Sequence, residues 1–465
     1  MESTSPAASA PTTQQPLAGS RALAWSTIGL YGFPTIAVNF AYMLIMVMYM
    51  NFATDVLLIA PATIGAIFFA SKMWDAFSDP VVGFLSDKTR SRLGRRRSWM
   101  LGSALPVAGF GIMMWSPPED LSSTELALWV GVAIFGFYTA YTAFYVPQLA
   151  LGAELSYEVR ERNRVYGSRQ IGTAVGLLLA FTLGAPLLED HETARGTAAE
   201  LGWIIGLACL LSISIAALLL PREPIGAEGR GGRNLLTAMR DVWRNPHARI
   251  LLFVFFIESF GVGGTSVMAP YVVKYVIKLE GILGIVLLAF VVPTAVSIPV
   301  WVWLAGHFER HKLWMAGMTM SAIGYASLIF LDEGRLGVML FCSVMCGTGS
   351  GCGSTLGQAI KADVIDYDEY VTGERKEGSY FAIWAFMSKL ASGLMIALVG
   401  FALSWVGYAE NTEQPASTIN VMILLNGGIP FLCFVVGIAA FTRFRLNSSE
   451  HRRVREAISQ RNQGL

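Results

Sequence analysis

Apolar runs of about twenty residues recur about twelve times along this chain, and they leave few folds open to it. In hydrocarbon every backbone N–H and C=O must be satisfied within the protein, so a segment of that length and hydropathy crosses as an α-helix. The runs fall at 24–52, 60–86, 98–115, 124–153, 165–187 and 199–220, then at 248–276, 281–307, 312–331, 336–360, 378–406 and 418–442. A content of 54% hydrophobic and 14% charged residues in 465 excludes an ordinary soluble domain. The expected class is an all-α, multi-pass membrane protein.

The formal net charge of +1 conceals a strong segregation. Lys88, Arg90, Arg92, Arg95, Arg96 and Arg97 follow the second run; Arg160, Arg162 and Arg164 follow the fourth; Arg230, Arg233, Arg240 and Arg244 follow the sixth; Arg443, Arg445, Arg452, Arg453 and Arg455 follow the last. The intervening connections are almost free of Lys and Arg. The positive-inside rule therefore puts both termini and the central connection in the cytoplasm, which requires an even number of spans. Residues 1–20 read as a disordered tail with no cleavable signal. The expected organisation is a six-helix half at 21–220, a cytoplasmic linker at 221–247 with a short amphipathic helix near Leu235–Trp243, a second six-helix half at 248–443, and a basic cytoplasmic tail at 444–465.

The two halves share a trace of repetition. Gly83-Phe84-Leu85-Ser86-Asp87-Lys88-Thr89-Arg90 follows the second helix, and Gly306-His307-Phe308-Glu309-Arg310-His311-Lys312 follows the eighth. Each is a glycine, then an acid, then bases. This pattern is similar to the signature loop of the major facilitator superfamily, and with two sets of six spans it implies that fold. Glycines at 261, 263 and 264 and at 347, 349, 351, 353 and 357 suit either close helix packing or bending.

Charges stand inside the apolar runs. In Lys72-Met73-Trp74-Asp75-Ala76-Phe77-Ser78-Asp79-Pro80, Asp75 and Asp79 lie four apart, on one face of a helix. An ionised group at mid-bilayer costs roughly 2.5–3.5 kcal/mol, so such residues pair or bind something. Two carboxylates against one ammonium leave a negative charge unmatched. A cation held on oxygen ligands would answer it, as would a proton kept on one Asp by burial and by its neighbour. Lys389 lies deep in the eleventh run and can reach Asp75 or Asp79 across the halves. Glu258 in the seventh suits a proton acceptor, a substrate ligand or a gate partner. At the cytoplasmic face, salt bridges from Asp363, Asp366 or Glu369 to the basic loops of the first half would make an inner lock.

No nucleophile–base pair, phosphate loop or zinc spacing is present, so an enzyme is not expected. The five cysteines lie in apolar runs and the five histidines in loops, tails or helix ends.

Residues 72–97 and 362–390 resemble the two hallmark segments of the glycoside–pentoside–hexuronide:cation symporter family (melibiose permease-like). The second segment reads Ala-Asp-Val-Ile-Asp-Tyr-Asp-Glu-Tyr, then Thr-Gly-Glu-Arg-Lys-Glu-Gly-Ser-Tyr, then Lys-Leu. The resemblance implies cation-coupled transport with Na+, H+ or Li+ and no cofactor. It places the cation on Asp75 and Asp79, with Thr142 in support and Lys72 and Lys389 as charge partners; Ser78 is a further candidate ligand between the two acids. The resemblance puts Asn39, Tyr145, Leu149 and Arg169 at a cavity for a small organic solute, and Tyr141, Glu258 and Trp384 are further candidates for its lining. The charged loops themselves suggest a cytoplasmic gate of Asp87, Arg90, Arg162, Asp363, Asp366, Glu369 and Arg375. Membrane lipid and a small solute are the expected partners, without nucleic acid, and the chain is expected to be a monomer in the cytoplasmic (inner) membrane. The family's two sugar-binding acids become Asn39 and Tyr145 here, its aromatic becomes Leu149, and Arg169 is retained. A divergent branch resembling this family, the vertebrate sodium-dependent lysophosphatidylcholine symporters, also keeps the cation acids and lacks the sugar acids. The expected solute is therefore a glycoside or related carbohydrate, with a lipid-like amphiphile as the alternative.

Overall fold

The apolar runs are helices in the computed structural model, which describes residues 23–156, 159–184, 187, 191–221, 242–279, 281–373 and 377–463. In chain order they are α1 (Trp25–Asp55), α2 (Pro61–Lys88), α3 (Arg95–Trp115), α4 (Ser123–Glu154), α5 (Val159–Gly184) and α6 (His191–Leu219). There follow α7 (Pro246–Ile277), α8 (Leu283–Ala305), α9 (Arg310–Phe330), α10 (Leu336–Thr372), α11 (Glu377–Trp405), α12 (Ala416–Phe441) and a polar α13 (Ser448–Gln463). Among the described residues ten helices are long and apolar enough to cross a membrane, and there is no strand. α2 and α5 are of comparable length but are interrupted by charge, with Lys72, Asp75 and Asp79 in α2 and Arg160, Glu161, Arg162 and Arg164 opening α5. The tail at 1–20, most of the linker at 221–247 with its amphipathic segment, and Arg375 lie outside the described residues.

The packing repeats. α1 packs on α5 and α6, α3 on α4 and α6, and α2 on α4; six helices later, α7 packs on α11 and α12, α9 on α10 and α12, and α8 on α10. Across the two sets α2 lies along α11, the late turns of α1 meet those of α7, and α5 touches α8 only lightly. Both α1 and α7 widen into a π-helical turn before they end, at Ile45–Tyr49 and Val272–Ile277. Such turns reorient the side chains that follow and are frequent at functional sites.

Small residues make these contacts possible. A methyl at Gly400 would collide with the Pro61 carbonyl, and one at Gly65 would press on the Gly400 backbone, so α2 and α11 run backbone to backbone. Along α10, methyls at Gly347 and Gly351 would strike α8, and one at Gly349 would strike α9. The glycine row is therefore a packing surface, of the kind that replaces hydrophobic drive between helices in lipid. Large apolar side chains such as Trp25, Ile329 and Trp405 point outward from the bundle, as lipid-facing residues do.

Basic residues at the loop after α2 are partly buried in structure. Arg96 pairs with Asp87 and Glu154 and donates to Ser86 Oγ, while Arg95 meets Glu154 at 2.8 Å, joining the ends of α2, α3 and α4. Arg97 donates to the last carbonyls of α6, at Ala217 and Leu218, which helix termini leave without partners.

Candidate functional site

On α2 the residues Lys72, Asp75 and Asp79 face the protein interior, while Trp74 and Phe77 on the other side of the helix are exposed. Their spacing of three and four residues is what puts them on one face. Lys389 of α11 reaches both acids, with Nζ at 2.8 Å from Asp75 Oδ2 and 2.5 Å from Asp79 Oδ2. From α4, the Thr142 hydroxyl lies 2.7 Å from Asp75 Oδ1 and 3.0 Å from Asp79 Oδ1. It has one proton and can donate to only one of them at a time. Asp75 is 4% exposed. The cluster is thus two carboxylates, one ammonium and one hydroxyl, joined across the two helix sets.

Lys72 and Ser78 are placed elsewhere. Lys72 donates to Tyr42 OH at 3.0 Å and sits over the Tyr42 and Tyr138 rings, making no ion pair with either acid. Ser78 donates to the carbonyl of Asp75 at 3.2 Å, within its own turn. From Tyr42 an aromatic ladder continues: Tyr42 stacks on Tyr141 at 4.9 Å, Tyr141 on Tyr145 at 5.3 Å, and the Arg169 guanidinium covers Tyr145 at 4.7 Å. Arg169 Nε is buried with no acceptor. Asn39 donates to the Thr173 carbonyl at 2.8 Å, which ties α1 to α5, and Leu149 is exposed.

In the second helix set, Glu258 of α7 accepts from Trp314 Nε1 of α9 at 3.3 Å. Trp384 of α11 is buried and its indole N–H has no partner. At the basic end, Asp363 on α10 meets Arg310 at 3.1 Å and His451 at 3.4 Å, and Asp366 meets His451 at 3.1 Å and Arg455 at 3.6 Å. The carbonyls of Glu369 and Tyr370 accept from Arg461. These partners belong to α9 and α13, in the same helix set as α10. Arg162 donates to the Ser156 carbonyl at 2.8 Å, and Arg90 is exposed.

A further buried carboxylate does not stand out in the sequence. Asp55 ends α1 with a fully buried side chain and pairs with Lys274 of α7. Tyr275 OH donates to it at 2.6 Å, Tyr408 OH also donates, Thr54 Oγ1 lies at 2.8 Å and Asn51 Nδ2 at 3.2 Å. Thr54 also bonds Tyr271 OH at 2.8 Å, and Asn411 Nδ2 donates to the Asp55 carbonyl at 2.9 Å. Five donors thus converge on two oxygens, which is a full shell for a carboxylate. Among the described residues no group of three or more His, Cys, Asp and Glu side chains is placed to hold a metal ion.

A carboxylate pair sharing one lysine across two six-fold repeated helix sets is the geometry against which known proteins can be compared. The description MFS/sugar transport protein matches residues 30–448, most of the chain. The protein belongs to this family. The family is one of multi-pass membrane transporters, not enzymes. The transporter is 26% identical over 442 residues to an inner membrane symporter of Escherichia coli (strain K12), covering 92% of this chain and 94% of that one. It is 24% identical over 436 residues to an isoprimeverose transporter of Lactiplantibacillus pentosus, covering 92% and 90%. It is 24% identical over 446 residues to the sodium-dependent lysophosphatidylcholine symporter 1 of Mus musculus, covering 87% and 82%. Among solved structures, the nucleoside transporter NupG superposes with a TM-score of 0.67 at 15% identity, covering 90% of this chain and 99% of that one. That likeness speaks for the fold. The transporter is accordingly an integral, multi-pass membrane protein with the major facilitator architecture.

Proposed function

We propose that this transporter is a cation-coupled symporter of a glycoside or related carbohydrate, working by alternating access. In this reading twelve helices cross the membrane in two six-helix halves, 21–220 and 248–443, joined by the linker 221–247, with both termini in the cytoplasm. The observation that carries the reading is the shortage of positive charge at Asp75 and Asp79, where one ammonium and one hydroxyl proton serve two carboxylates. Hard oxygen ligands of this kind suit Na+ or Li+, and one shared proton would serve H+ coupling. A cation arriving between the acids replaces Lys389 as their counter-charge. Lys389 then detaches, and the contact of α2 with α11 depends on whether the ion is bound. A ligand shifts a conformational equilibrium only through such a difference in contacts between states.

The ends of the molecule support a direction. Among the described residues the Asp55 network joins the helix sets at the end away from the basic loops, while at the basic end Asp363 pairs with Arg310 and His451 of its own set. With the basic loops assigned to the cytoplasm, this arrangement is what an inward-facing state would have. Proteoliposome uptake of radiolabelled isoprimeverose under an imposed sodium or proton gradient tests the proposal. Gradient-driven uptake that Asp75→Asn and Asp79→Asn leave untouched would refute it.

Asn39 and Tyr145 favour a second reading in which the solute is a lipid-like amphiphile, since the first helix set offers no carboxylate where the family's sugar-binding acids stand, and one relative is a lysophosphatidylcholine symporter. Uptake of lysophosphatidylcholine, with no competition by sugars, would select it.

A further inference from the structure

Lys361 lies on α10, which continues unbroken through Thr372, and it is 4% exposed. Its ammonium stands 3.7 Å from the centre of the Phe255 ring and 5.3 Å from that of Trp384, and among the described residues it makes neither an ion pair nor a hydrogen bond. Trp384 is 2% exposed and its indole N–H has no acceptor. Beside them Glu258 uses one carboxylate oxygen on Trp314 Nε1. Buried polar groups are nearly always paired, so two idle donors at one place, next to a carboxylate with spare acceptor capacity, need an explanation.

Structure alone is a poor one. A buried ammonium without a carboxylate partner costs stability rather than supplying it, and aromatic faces offset only part of that cost. The chemistry left unused is two donors, one acceptor and the aromatic faces of Phe255 and Trp384. Glu258 and Lys361 also cancel in charge, so the place favours neither an anion nor a cation. Paired donors and acceptors beside an aromatic face match a ring that carries neutral hydroxyls on its edge and C–H groups on its face.

We propose that Glu258, Lys361 and Trp384 form a polyol-binding subsite on the second helix set, which supplies the sugar-holding carboxylate that the first set lacks at Asn39 and Tyr145. The proposal rests on the carbohydrate reading given above and deepens it. Its position also links it to the ion cluster. Trp384 and Lys389 share α11 and lie five residues apart, about 7.5 Å along the helix, and Ser388 between them bonds Ser259, the neighbour of Glu258, at 3.3 Å.

The test uses the full-length protein in nanodiscs, with isoprimeverose as the sugar probe, calorimetric titration for affinity, thermal unfolding for stability, and 22Na+ binding without sugar as the readout of the ion cluster. Lys361→Met is expected to weaken isoprimeverose binding about tenfold or more; because it also removes the charge that balances Glu258, Tm should fall, and Trp384→Phe supplies the affinity readout free of that stability change. Trp384→Phe removes only the idle N–H and should weaken binding about threefold to tenfold at unchanged Tm. Both variants should bind 22Na+ like the wild type. Sugar affinity within twofold of wild type in both variants, or a fall in Tm with affinity unchanged, would show a purely structural role and overturn the subsite. If the wild type takes up isoprimeverose with sodium and the variants do so equally well, the subsite alone fails. If the wild type neither binds nor takes up the sugar, the carbohydrate reading fails and the subsite with it.

Discussion

Two buried carboxylate–lysine contacts join the helix sets of this transporter, and they are built on opposite plans. At Asp55 one carboxylate receives Lys274, two tyrosines, a threonine and an asparagine, so every lone pair has a donor. At Asp75 and Asp79 two carboxylates divide one lysine and one threonine hydroxyl. A saturated shell leaves nothing for a ligand to improve, whereas a deficient one gains from any added cation or proton. In the proposed reading the same ion-pair chemistry therefore makes a latch in one place and an exchange site in the other.

The largest effect that would break this contrast is expected at the latch. Asp55→Ala leaves Lys274, Tyr275 and Tyr408 buried around an absent partner, and losing one member of a buried pair costs about 3–5 kcal/mol. The outer end should open, read as increased labelling of single cysteines introduced near Thr54 and Tyr408, and uptake should collapse. Unchanged labelling would mean that Asp55 is not what holds that end shut.

Next come the exchange-site acids. Asp75→Asn removes the deficit of positive charge, so sodium stimulation of uptake should be lost while sodium-independent exchange of bound solute survives. In 22Na+ binding the affinity should fall about tenfold or more, the scale of one charge-assisted contact worth about 1.5–3 kcal/mol. Gly400→Ala acts on the shared helix contact and leaves the charges alone. It forces a methyl against the Pro61 carbonyl and should cost about 1–3 kcal/mol, read as a lowered Tm. The smallest effect is expected for Ser78→Ala. Its hydroxyl is engaged with the Asp75 carbonyl, so stability should move by less than about 0.5 kcal/mol and sodium affinity hardly at all.

The contrast also explains what could be read in the amino-acid sequence. Asp75, Asp79 and Lys389 stand out because a charge in the middle of an apolar run has no ordinary reason to be there. Asp55 does not, because it closes a run and looks like an interfacial polar residue, and its partner Lys274 lies 219 positions away, also at a helix end. Lys361 was hidden for a different reason. It adjoins Asp363, Asp366 and Asp368, and the stretch reads as a solvated connection from about 360 onward, whereas α10 extends through Thr372 and keeps Lys361 inside the bundle. The departure of Lys72 from the acids was equally illegible. Its ammonium follows the rings of Tyr42 and Tyr138, and only the folded arrangement of α1 beside α4 puts those rings within reach. The repeated pattern of runs carries the period of the architecture but neither which helices pack together nor the depth at which any one side chain ends up.

The glycine contact of α2 with α11 has a mechanical consequence. Two rigid bodies that rock against each other turn about the line where they are closest, and Gly65 against Gly400 is such a line, on the same two helices that hold Asp75, Asp79 and Lys389. Asp79 lies fourteen residues from Gly65, about 21 Å along α2, so a change in its spacing to Lys389 acts on the long arm of that line and carries the basic ends of the two helices with it. In the proposed cycle, an ion small enough to fit between two carboxylates is then large enough to decide which end of the transporter stands open.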